Sequence, residues 1–362
     1  MPITFPHFGS LTYVFEVVLR ELGRKDILLP KKPSKRTSEL GSRHSPEFVC
    51  TPFKMTLGTF IEMLDEGATE LGMGGGNAYC RFGYYWPVQK LILEDLGYDN
   101  FRFIMLDFLH PLRIWKVLKE ESDGCSYLQT LRAFRIAWIK NRYTDLVDKM
   151  LYKYRALELE KGLSEKIAKQ AFRMVVETQG LRNIKKLEDK IIDLFEQSVE
   201  IRKDENPLKI VISGEIYVVI EPSLNVDVHR RLNELGVIVE STPTLRSFID
   251  VGHKLNPFIT MHYQKARKAA QPYLQYRCGG EAMENIGDMT IYKKEGWDGM
   301  VHLYPFTCMP EIITRSIAPQ VSREHDMPIL SLVVDEHTGE AGFQTRLEAF
   351  VDLLKRRKVE TN

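Results

Sequence analysis

At 362 residues the chain exceeds the ~250–300 at which a single hydrophobic core stops growing, so it reads as two or three domains with clefts between them. Its 50 Lys and Arg balance 49 Asp and Glu, and a net charge of +1 supplies no global field to draw nucleic acid or an anionic membrane. No apolar run approaches the ~20 residues that span a bilayer, and Met1 to Phe5 lacks the basic and apolar stretches of a secretion signal, so a cytoplasmic protein with no nucleic-acid or membrane partner is expected.

In chain order, Ile3 to Gly9 reads as a short strand and turn, followed by a helix from about Ser10 to Leu22 with Leu11, Val14, Phe15, Val18 and Leu22 on one face. A strand at Ile27 to Leu29, a helix from about Pro52 to Glu66, a strand at Glu70 to Met73, a helix from about Tyr84 to Leu96 and a strand at Phe101 to Leu106 come next. Between Pro111 and Pro207 there is no proline and only three glycines, and charged and apolar residues alternate at helical period, which predicts a helical insert with a solvated charged face. Strand and helix then alternate again: strand Lys209 to Glu215, helix Val226 to Leu235, strand Val237 to Glu240, strand Gly299 to Tyr304, helix Met309 to Ala318, strand Ile329 to Val334 and a last helix from about Phe343 to Arg357. The expected class is α/β, with parallel-sheet domains at 1–107 and 206–362 and a helical region at 108–205 between them.

The five cysteines are Cys50, Cys80, Cys125, Cys278 and Cys308, an odd number without a secretion signal, which favours buried thiols, metal ligands or reactive groups over disulfides. Cys50 stands before Thr51 and Pro52, Cys80 before Arg81 to Gly83, and Cys308 before Met309 and Pro310, so all three lie at expected helix entrances. The positive end of a helix lowers a cysteine pKa and stabilises an anionic thiolate-bound cluster. With no CxxC pair, structural zinc is disfavoured. Plain buried thiols and an iron-sulfur cluster with one open iron both remain compatible with the spacing. Cys125 and Cys278 lack the helix-entrance setting and read as ordinary thiols.

Three segments carry a family likeness: Pro46 to Gly58 (PEFVCTPFKMTLG), Gly75 to Tyr85 (GGNAYCRFGYY) and Tyr304 to Pro310 (YPFTCMP). They resemble the cysteine motifs of the 2-hydroxyglutaryl-CoA (2-hydroxyacyl-CoA) dehydratase superfamily, and the tail Leu330 to Asp352 is similar to the C-terminal signature of its acyl-CoA dehydratase activase-related, or CoA protein activase, branch. The resemblance implies Rossmann-like domains around a [4Fe-4S] cluster held by Cys50, Cys80 and Cys308. It further implies low-potential electrons from a separate ATP-hydrolysing activase of the sugar kinase, heat-shock chaperone and actin class, passed to a substrate or a partner subunit. Some relatives dehydrate 2-hydroxyacyl-CoA thioesters, and others reduce small molecules with a double-cubane cluster. A noncatalytic accessory subunit, in a homodimer or heterodimer, is the alternative.

The run Gly72 to Asn77 reads as a turn beside the cluster, since it lacks both the P-loop ending and the dinucleotide-site glycine pattern. Asp335 to Glu340 offers either acid-base and docking groups or a cap for the final helix. His302 reads as a core histidine with one hydrogen bond. The resemblance places Glu215 near the cleft, where it faces substrate or cluster, or it merely follows the Gly214 turn.

Overall fold

Two parallel sheets organise the computed structural model, which describes residues 1–76, 80–107, 116–117, 119–120, 126–203, 206–242, 257–276 and 278–361. The first region holds β1 (Ile3–Thr4), α1 (Leu11–Glu21), α2 (Lys35–His44), α3 (Thr51–Asp65), β2 (Glu70–Gly75), α4 (Tyr85–Asp95) and β3 (Arg102–Asp107). Helices α5 (Tyr127–Leu157), α6 (Leu163–Glu177), α7 (Leu181–Ile184) and α8 (Leu187–Ser198) follow. The chain then forms β4 (Lys209–Gly214), α9 (Ile216–Ile220), α10 (Val228–Glu234), β5 (Ile238–Ser241), α11 (Pro257–Ala270), α12 (Ala282–Lys294), β6 (Gly299–Pro305), α13 (Met309–His325), β7 (Ile329–Val334) and α14 (Glu340–Thr361).

The strands pair in parallel in the orders β1-β2-β3 and β5-β4-β6-β7. Parallel strands buried on both faces need near-continuous apolar runs, and β4 and β6 supply them: Ile210, Ile212, Val301 and Leu303 face one core with α10 and α14, while Val211 and Met300 face another with α12 and α13. In the first sheet, Leu71 and Met73 of β2 pack with Phe53, Leu57 and Phe60 of α3. The α/β expectation therefore holds as two parallel sheets flanked by helices. Among the described residues no helix is long and apolar enough to cross a membrane.

Several expected elements differ. The strand foreseen at Ile27 to Leu29 is a single parallel bridge between Ile27 and Ile3. Helix α13 runs to His325 instead of stopping near Ala318, passing through Pro319; Ala318 and Val321 are buried in the core beside β6, which holds the helix together across the missing proline N–H. Helix α10 starts at Val228 because Val226 and Asp227 adopt φ of 56° and 52°. Cys125 lies outside the described residues.

Helix α2 was not expected, since its sequence KRTSELGSRH is almost wholly polar. It forms because Ser34 and Thr37 close a capping box, and because Gly41 and Gly58 let α2 and α3 cross at backbone contact. A Cβ on Gly41 would stand 1.8 Å from the Lys54 carbonyl oxygen, and one on Gly58 1.9 Å from that of Thr37. Gly41→Ala is therefore expected to destabilise the fold by about 1–3 kcal/mol through overpacking, read as a lower urea midpoint; an unchanged midpoint would contradict the close crossing.

The helical region is fastened to the second sheet through α5 and α10. Tyr152 stacks on His229 with ring centroids 4.6 Å apart, Arg155 Nε donates to Asn233 Oδ1 at 2.9 Å, and Asn233 Nδ2 donates to the Tyr152 carbonyl at 2.9 Å. His229 Nε2 shares a 2.6 Å hydrogen bond with Ser241 Oγ. Burial, reinforced by the nearby Arg155 charge and opposed by Asp227, holds His229 down at about 3. The unfolded chain then binds a proton that the folded chain refuses, so this contribution to stability is complete above pH ~6.5 and is lost as pH falls towards 3. Between pH 6.5 and 5 the loss is expected to be about 2 kcal/mol. His229→Gln should flatten this part of a stability–pH profile measured by urea denaturation; an unaltered slope would refute the assignment.

Candidate metal centre

Cys50 is the N-cap of α3, Cys80 of the 3-10 turn Arg81–Tyr84 that leads into α4, and Cys308 of α13. Pro52 and Pro310, each in the first turn of its helix, suit this placement because a proline N–H is not needed there. None of the three side chains closes a capping hydrogen bond. The amides of Phe53, Phe82 and Glu311 nonetheless act on the respective sulfurs in the direction that favours a thiolate.

One guanidinium links the three cysteine turns. Arg81, next to Cys80, donates from Nη1 to the Phe48 carbonyl at 2.7 Å and from Nη2 to the Thr307 carbonyl. Phe48 precedes Cys50 by two residues, and Thr307 precedes Cys308 directly. Both acceptors adopt positive φ, 59° and 64°, a conformation uncommon outside glycine. Further ties come from Thr51 Oγ1 to the Val334 carbonyl at 3.2 Å and from Lys54 to Glu336. The entrance of α3 is thereby docked on the carboxyl end of β7. Charge also connects the three thiols: that of Cys50 acts on Cys80 and Cys308, and that of Glu215 acts on all three.

Helix entrances were expected to lower these thiol pKa values, but burial outweighs them. It pushes Cys50 up against a hydrogen bond shared with the buried Tyr85 hydroxyl, and it pushes Cys80 to about 12. Cys308 also rises, through burial and then the charges of Glu311 and Glu215.

The chain crosses over between β4 and β6, which are neighbours although β5, on the far side of β4, separates them in sequence. Ligands of open α/β sheets bind in such a crevice beyond the strand carboxyl ends. Here β4 ends at Gly214, whose φ of 143° and approach to Leu303 leave no room for a side chain, since a Cβ would fall 1.8 Å from the Leu303 carbonyl. Glu215 follows, half-buried, its Oε2 accepting from the Val218 N–H at 2.9 Å. Burial raises its pKa to about 7 despite the amides of Val218 and Tyr217, with Glu311 adding to the rise. Glu281 is likewise pushed well up by burial and then by Glu215 and Glu311.

Behind Cys308 lies a buried polar network that ends at the half-buried Ser331. Asn285 Nδ2 donates to both Glu311 carboxylate oxygens at 3.0 Å and to the Gly214 carbonyl at 3.2 Å, and Ser213 Oγ donates to Asn285 Oδ1 at 2.7 Å. His302 Nε2 shares a 2.8 Å hydrogen bond with Glu311 Oε2, and its Nδ1 meets Ser331 Oγ at 3.3 Å. His302 is thus a core residue, with two partners instead of the expected one. Arg81, Tyr85, Asn285, Glu281 and Glu311 escaped the sequence reading; Glu311, an acid in the first turn behind Cys308, carried the one local signal.

The other sequence candidates fall as follows. Gly76, at φ 98°, turns the chain after β2 against Asp107, where a Cβ would come within 2.5 Å of the carboxyl group; Asn77 is outside the described residues. Asp335 Oδ1 accepts from the His337 amide and the Thr338 hydroxyl, while Glu336 and Glu340 pair with Lys54 and Arg231. That segment therefore forms a side-chain-braced turn and ties to α3 and α10. Cys278 is half-buried on a loop whose Gly280 abuts Pro310, so it approaches the start of α13.

The sequence matches no protein-family model and no curated protein. The fit of a cluster is therefore judged on geometry. Among the described residues no three His, Cys, Asp or Glu side chains gather tightly enough to hold one metal ion. The thiolates of a four-iron cluster meet different irons, so they stand farther apart than the ligands of a single ion. Thr307 Oγ1, beside Cys308, is buried with no hydrogen-bond partner, and three free thiols, Cys50 buried and Cys80 and Cys308 half-buried, on turns joined by Arg81 are the soft donors that iron-sulfur clusters use. These residues fit the group.

Proposed function

We propose that this protein is an iron-sulfur redox protein similar to components of 2-hydroxyacyl-CoA dehydratases, built on two Rossmann-like domains. In this reading it takes low-potential electrons from an ATP-hydrolysing activase and passes them to a substrate or partner subunit. Cys50, Cys80 and Cys308 would hold a [4Fe-4S] cluster. The carrying observation is Arg81, which bonds the carbonyls of the Cys50 and Cys308 turns from its place beside Cys80.

When bound, such a cluster supplies one-electron chemistry at an iron left open by the three-cysteine ligation. The chain's own groups set its surroundings. The helix entrances behind the sulfurs favour the anionic form of the ligands. Burial, and then the charges of Glu215 and Glu311, push Glu281 well above the usual carboxylate range, which disfavours a further negative charge there. Glu215, with Oε2 engaged by the Val218 amide and its pKa raised to about 7, can take up or release a proton near neutral pH, and its charge acts on all three thiols. A group poised near the working pH is suited to balance the charge of an arriving electron.

Low-temperature EPR on protein purified without oxygen tests this reading. A paramagnetic cluster signal is expected after chemical reduction, and again when an ATP-hydrolysing activase and ATP are supplied together. An EPR-silent, iron-free protein under both treatments would overturn it.

A further inference from the structure

Away from the cysteines, α1, α5 and the end of α6 line a half-open cavity of 280 Å³ around Lys140, with Arg20, Glu21 and Arg132 among its charged residues. That is just under the ~300–1,000 Å³ of pockets for drug-sized ligands, so the space suits a smaller molecule. Lys140 is only 2% exposed, and Lys almost never occupies such a position without a charged partner. Its Nζ donates to the Val176 carbonyl at 2.8 Å, which uses one of the three N–H groups an ammonium carries. That bond caps α6 but brings no negative charge. Burial lowers the Lys140 pKa, and among the described residues Glu21 is the charge that opposes that shift.

The lining also fixes the sign of a ligand. Lys140, Arg132 and Arg20 face the single carboxylate Glu21, and Arg20 is already paired with Glu16, its Nε donating at 2.7 Å. Among the described residues one positive charge is left over. Val17, Ile136 and Val176 give the remaining wall an apolar surface. We infer that this cavity is a binding site for a small monocarboxylate, its carboxylate meeting Lys140 and Arg132 and its short hydrocarbon body lying against Val17, Ile136 and Val176. The inference is independent of the iron-sulfur reading, since no lining residue belongs to the cysteine turns.

Calorimetric titration of the full chain with butyrate, butyramide and inorganic phosphate tests it. Saturable butyrate binding at one site per chain is expected, with butyramide and phosphate each weaker by about tenfold or more. Lys140→Met should weaken butyrate by a similar factor. Arg132→Ala, at the exposed rim where folding is not at stake, should also weaken it. Equal affinity for butyramide, preference for phosphate, no saturable butyrate binding at millimolar concentrations, or unchanged butyrate binding in Arg132→Ala and in folded Lys140→Met would each overturn the inference.

Discussion

Cys308→Ser is expected to lower the iron content of anaerobically purified protein by roughly tenfold or more while leaving the fold as stable as before, or slightly more so. The two effects separate because of where Cys308 sits. It caps α13 without a capping hydrogen bond, and serine is among the best N-cap residues, worth about 0.5–2 kcal/mol over residues that cannot cap. A buried structural thiol replaced this way would change stability and leave iron untouched. A ligand replaced this way loses a soft thiolate from the cluster, and even changes one layer outside a metal's ligands cost about 10–100-fold in affinity. Cys50→Ser and Cys80→Ser should behave alike for iron. Cys278→Ser, on the neighbouring loop, should keep its iron. Iron content and urea midpoint measured on the same preparations separate these outcomes, and full iron in all three ligand variants would refute the assignment.

Glu311→Ala is expected to cost about 3–5 kcal/mol of stability, because it removes the acceptor shared by two buried donors. Asn285 would keep the Gly214 carbonyl and His302 would keep Ser331, but each would lose its stronger bond where water does not reach. Glu311→Gln retains an acceptor oxygen and should cost only about 1 kcal/mol. Equal midpoints for the alanine and glutamine variants would show that the network does not brace the start of α13.

The parts legible in the sequence are those where one local signal suffices. Strands β4, β6 and β7 were recognised to within about a residue because each is a mostly apolar run, buried on both faces in β4 and β6. The N-cap positions of Cys50 and Cys308 were legible from Pro52 and Pro310. Helix α2 was not, because its stability comes from a glycine crossing with α3 and not from an apolar stripe. The Arg81 bonds join residues 33 and 226 positions away. No periodicity reports a contact of that range. The rise in the thiol pKa values was equally hidden, since it depends on burial and on carboxyl groups brought in from β4 and the loop before α12.

The most direct test of the account is the iron and acid-labile sulfide content of the protein purified strictly without oxygen. On the order of four irons and four sulfides per chain is the predicted result for a cluster on Cys50, Cys80 and Cys308. Protein that remains free of both after anaerobic reconstitution would contradict it.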